Sequence, residues 1–246
     1  VGTRIAGMDD PRRRRTFALS AGMFNYGYVT LPLTESLYPA ETLGVLFVFN
    51  VGVEAAMWGV GVTLLTGGFS RSAGGNRPGA RVMLGRLLSP PVIATIVAVT
   101  LNALSPPIPA AAQPVVELAG KTLGWLADAA IPIGLLLTGA TIWHDWGEAK
   151  LKTGLPVVAL ACGVRLLLLP ALFIGIAVTL PDAWASVHLR RVLVLQAAMP
   201  SAVFPIVLSR HFGGDVGTAL RIVVGTSLVS LLTMPAWIAL GQWLVL

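Results

Sequence analysis

The stretch 155–180, LPVVALACGVRLLLLPALFIGIAVTL, carries one charged residue, Arg165, in 26 positions. A helix needs about 20 mostly apolar residues to cross the hydrocarbon core of a bilayer, and this stretch supplies them with length to spare. The rest of the chain agrees with that reading. Hydrophobic residues make up 55% of the 246 and charged ones 11%, with a mean hydropathy of +0.80. Water-soluble domains run near 25% charged, so a soluble core does not account for the deficit. Gly and Pro are both abundant, at 27 and 17 residues, which membrane helices tolerate where neighbours re-satisfy the backbone.

Six further apolar stretches fall at 17–37, 43–65, 88–104, 127–143, 192–209 and 219–244. The fold expected is therefore all-α and polytopic, with seven transmembrane helices. The amphipathic residues 115–126 either extend the fourth span or lie at the interface. Basic residues alternate between the connecting loops. Thirteen fall on the side of the chain start: Arg4, the Arg12–Arg15 run, the arginines of 71–86, Lys150, Lys152, Arg210 and Arg221. Three fall on the other side: Lys121, Arg190 and Arg191. Excess positive charge stays cytoplasmic, so loop 67–86 is expected inside and the C-terminus on the opposite face. With no strand and no basic stripe interleaved with aromatics, the net charge of +6 does not point to nucleic acid. The lone Cys162 allows no internal disulfide. Residues 1–15 lack an initiator Met and read as a loop, so the chain is expected to begin partway through a longer protein.

Two spans combine internal prolines with polar residues. The first contains Asn25, Gly27 and Pro32; the sixth contains Gln196, Met199, Pro200, Ser201 and Pro205. Proline removes a backbone donor and frees the carbonyl four residues earlier. A Gly–Asn–Pro cluster invites a broken helix whose ends present backbone groups to a solute, as in many secondary transporters. Interhelical bonding through Asn25 and Gln196 is the alternative. Glu54 and Arg165 sit near the centres of their spans, where a charge requires a cavity or a partner. They form either a structural ion pair, or a proton-titrating carboxylate and an anion-holding guanidinium. Asn50 and Asn102 are candidates for lining a polar path. No phosphate loop, nucleophile elbow or metal-ligand spacing is present, and His144, His188 and His211 fall in separate loops. Neither an enzyme nor a cofactor or metal is expected.

Residues 24–32, FNYGYVTLP, resemble the Asn-x-Gly-x-x-x-x-Pro element of the auxin efflux carrier family of permeases. So do 89–91 (SPP), 130–140 (AIPIGLLLTGA), 198–202 (AMPSA) with 211–215 (HFGGD), and 227–235 (SLVSLLTMP). The likeness covers nearly the whole chain. It implies part of a ten-helix transporter fold of two inverted five-helix repeats, with the fourth and ninth helices broken and crossing. This chain would supply helices four to ten: 1–66 ending the first repeat, 67–86 a cytoplasmic linker, and 87–246 the second repeat. The sequence departs from the family at Phe204-Pro205, where an Asn is frequent.

The function expected is a multi-pass secondary transporter, or efflux carrier, of the bacterial inner membrane. It would move small organic anions such as dicarboxylates or auxin-like weak acids, with H+ or Na+ as coupling ion and homodimerisation left open. A membrane-embedded binding or sensory protein without transport is the alternative. The residues expected to contact substrate or ion are Asn25, Gly27, Pro32, Asn50, Glu54, Asn102, Arg165, Gln196, Met199, Pro200 and Ser201.

Overall fold

Asp10 followed by Pro11 starts the first helix. The Asp10 carboxylate accepts from the Arg12 amide at 2.8 Å, and proline at the first helical position has no donor to waste. A computed structural model describes residues 8–67, 90–104, 108–149, 154–183 and 185–245 of the chain. Most of the 67–86 linker, Lys150 and Lys152 lie outside the described residues. Among those described, the elements are α1 (Pro11–Gly22), α2 (Thr30–Leu37), α3 (Ala40–Leu65), α4 (Pro90–Leu104), α5 (Gln113–Ala149), α6 (Leu155–Thr179), α7 (Val187–Ala198), α8 (Phe204–His211) and α9 (Val216–Val245).

Four of these helices are long and apolar enough to cross a membrane: α3, α5 with its preceding 3-10 turn, α6 and α9. Their outward faces carry leucine, valine and isoleucine, such as Leu136, Leu168 and Leu232, as a hydrocarbon surround requires. The chain is thus an all-α, polytopic membrane protein. Residues 115–126 continue straight into the fourth expected span, so α5 runs unbroken for 37 residues through Pro132.

α9 is the hub, packed against α1, α5, α6, α7 and α8. Its first half buries Ala219, Leu220, Ile222 and Val223. The Asp215 side chain accepts from the Thr218 amide at 2.7 Å and caps this end. Thr16 of α1 accepts from the Asp215 amide at 2.9 Å, and Arg13 lies 3.7 Å from the Asp215 carboxylate. The motif at 211–215 therefore ties the start of α1 to the start of α9. Gly213 takes a positive φ of 72°, and a Cβ on Gly214 would meet Thr16 and Ser209 within 3 Å.

Both helices that carry a central charge widen into a π turn, α3 at Met57–Gly61 and α6 at Gly163–Leu168. In α6 this turn also holds a carbonyl that a proline frees. Pro170 has no N–H to give the Leu166 carbonyl, and the Trp237 indole of α9 donates to it instead at 2.7 Å. Left unpaired in a bilayer, that carbonyl would cost several kcal/mol.

Candidate functional site

Two helices are interrupted with the same lengths, twelve residues before each gap and eight after it. α1 stops at Gly22 and α2 resumes at Thr30; α7 stops at Ala198 and α8 resumes at Phe204. In the second gap Pro200 forces Met199 into extended backbone (φ −71°, ψ 142°), which ends α7. In the first, Gly22 and Gly27 hold the chain weakly to the helix, and the Thr30 hydroxyl donates to the Asn25 carbonyl at 2.6 Å to restart it. The two gaps meet. Phe24 and Ser201 form an antiparallel bridge, with the Asn25 amide donating to Pro200 O at 2.9 Å and the Ala202 amide to Met23 O at 3.1 Å. Each break thus satisfies part of the other's backbone, embedded in a cluster of Phe24, Ala198 and Met199 with Phe173 and Trp237 against it.

The carbonyls at the end of α7 need further donors, because Pro200 offers none to Gln196 O. Arg165 supplies them. Its Nε donates to Met199 O at 2.8 Å, and its Nη2 to Gln196 O at 2.8 Å and Ala197 O at 3.3 Å. The guanidinium also lies 5.0 Å from the Phe24 ring centroid, on its π face. The residue is fully buried and its Nη1 makes no hydrogen bond.

Glu54 is satisfied elsewhere. The Tyr26 hydroxyl donates to its Oε1, and the Trp58 indole to its Oε2 at 3.0 Å. The ion pair weighed from the sequence is therefore not formed, because each charge has found neutral partners of its own. A second polar chain runs beside it. Gln196 Nε2 donates to Asn50 Oδ1, and Asn50 Nδ2 to the Tyr26 carbonyl, both at 3.0 Å.

Glu54, Tyr26 and Gly27 form a wall shared by two cavities. One, of about 490 Å³, is also lined by Asn25, Tyr28, Phe204 and, from α5, Gly134, Leu137, Thr138 and Thr141. The other, of about 320 Å³, adds Asn50, Leu31 and Thr95. A larger groove of about 690 Å³ between α1 and α3 has, among the described residues, only apolar side chains and glycine along it, which offer a charged solute no side-chain partner. The 490 Å³ cavity is the candidate site.

Of the residues picked from the sequence, Asn25, Gly27 and Glu54 line this cavity, and Asn50 lines its neighbour. Gln196, Met199, Pro200 and Ser201 build the crossing behind it, Ser201 through its amide to the Thr226 hydroxyl at 3.3 Å. Arg165 serves the crossing and lines neither cavity. Pro32 sits in the first turn of α2, and Asn102 on an exposed part of α4; neither lines these cavities. Sequence reasoning missed Tyr26, Tyr28, Thr138 and Thr141. The signal was available for the tyrosines, since a phenol inside an apolar span must find a partner. The threonines share a face with Gly134 at helical spacing, Thr138 within the segment 130–140 already singled out as a motif and Thr141 just after it.

Interrupted helices that meet beside a cavity are an arrangement found in many secondary transporters. The chain belongs to the membrane transport protein family, whose pattern matches residues 77–238. That family is the one the sequence resemblance pointed to, the auxin efflux carriers, a transporter class rather than an enzyme class. Over 219 residues the chain is 27% identical to an uncharacterized transporter of Methanothermobacter thermautotrophicus. That match covers 89% of this chain and 65% of the relative's length. No solved structure matches.

Proposed function

We propose that the chain works in a secondary transporter that carries small organic anions across a bacterial inner membrane, with the 490 Å³ cavity as its binding chamber. The observation that carries this reading is the meeting of the two gaps at Phe24 and Ser201, with Asn25 and Glu54 beside it facing a cavity. An anion there meets the Asn25 amide, the tyrosine and threonine hydroxyls and the N-terminal end of α8 at Val203 and Phe204. Among the described residues, no basic side chain lines the chamber. Its chemistry therefore favours a singly charged weak acid over a dicarboxylate, whose second charge would stand unpaired. Glu54 is the group that takes and releases the coupling proton, since an ionised Glu54 and an anion in one chamber repel.

The repeated twelve-then-eight pattern supports the wider architecture: seven spans here, as helices four to ten of an inverted-repeat fold, with a cytoplasmic linker at 67–86. Reconstitution tests the function. Proteoliposomes holding the full chain and an imposed pH gradient should accumulate radiolabelled indole-3-acetate or benzoate, and malate more weakly. Folded protein that moves none of the three at any gradient would overturn the reading.

A further inference from the structure

We propose that the Arg165 guanidinium is a built-in cation, filling as part of the chain the place among the α7 carbonyls that a bound alkali cation would otherwise take. The carbonyls of Gln196, Ala197 and Met199 converge on it at 2.8–3.3 Å, and the electron-rich face of Phe24 closes a further side. Oxygens gathered at the C-terminal end of a broken helix, where the backbone dipole is negative, are the surroundings that a desolvated cation seeks. They are available because Pro200 cannot donate to Gln196 O and the chain turns away from the helix there.

Among the described residues no carboxylate pairs with this charge. Arg13 pairs with Asp215 and Arg190 with Asp182, and neither pair involves Arg165. The unbonded Nη1 shows that the cage does not match every guanidinium donor. What it matches is one positive charge. Such a cation cannot exchange with solvent, and it repels a second cation from the crossing. On the transport reading of the preceding section, on which this consequence rests, the coupling ion is therefore not Na+ held at the crossing.

Melting of the detergent-solubilised full chain tests the cage without reference to transport. Arg165→Ala should lower the Tm by roughly 10 °C, since it strands converging carbonyls in the interior. Low-millimolar guanidinium should restore at least half of that loss, urea at the same concentration should restore none, and the unaltered protein should respond to neither. An Arg165→Ala protein that responds alike to guanidinium and urea would overturn the proposal. Should that variant fail to fold, Arg165→Lys and Arg165→Met decide instead. The lysine keeps the charge and should melt clearly above the methionine, and equal or reversed Tm values overturn the idea. In proteoliposomes of the unaltered chain, replacing Na+ by choline should leave flux unchanged, and flux that collapses without Na+ would sink the ion assignment. Absence of flux in both media would count against the transport reading alone, while the melting result still decides the cage.

Discussion

Glu54 accepts hydrogen bonds at both carboxylate oxygens and still forms part of the wall of two cavities. An amide in its place keeps one acceptor but cannot exchange a proton. Glu54→Gln is expected to retain binding of a transported weak acid while flux loses its pH dependence, measured in proteoliposomes across pH 5–8. Across the chamber, a Cβ on Gly134 would fall onto the Tyr28 ring. Gly134→Ala should fold, because a half-exposed ring can swing aside, but the displaced ring narrows the chamber. Weaker substrate binding is expected, with Gly134→Ala tolerated in a Tyr28→Ala background; equal affinity of the single variant and the parent would contradict this. At this scale the sequence was only half informative. It marked Glu54 and Arg165 as buried charges, because a charge in an apolar run is visible. It left their partners open, because the groups that satisfy Arg165 are main-chain carbonyls that every residue carries. Only the fold decides which of them are orphaned.

Among the elements, the two broken helices were legible in advance, since Pro200 beside Gln196 and Gly27 beside Asn25 are local signals of interruption. The π turns at Met57–Gly61 and Gly163–Leu168 were not, for they depend on what packs against the helix. The tie between α1 and α9 was likewise hidden, although the residues 211–215 that make it stood out as a motif. Asp215 both caps α9 and faces Arg13, and the two contributions differ in weight. The ion pair is exposed, with 47% and 28% of the side chains accessible, and adds little. The cap is the larger part. Asp215→Ala should destabilise the protein by about 1 kcal/mol, as loss of a helix cap does. Asp215→Asn, which can still accept from the Thr218 amide, should recover most of it. Thermal melts of the two variants in one detergent make the comparison.

For the whole molecule, the basic asymmetry predicts which way round the chain sits. Cysteine at Ser70, introduced in a Cys162→Ser background, should react with a membrane-impermeant maleimide in inside-out vesicles and not in intact cells. Reaction in intact cells would invert the topology. The all-α membrane class followed from composition alone, whereas the continuity of α5 did not, because residues 115–126 fit two descriptions equally well. That continuity has a mechanical side. A helix of 37 residues is about 55 Å long, nearly twice the hydrocarbon thickness. Packed against α9 and notched at Gly134 by Tyr28, it would act as a lever if it tilted as one piece. From Gly134 to Gln113 the arm measures about 32 Å, so a tilt of about 10° carries its tip through about 5 Å. A bilayer that thins or thickens is expected to change that tilt, and lipid composition would then bear on the width of the chamber.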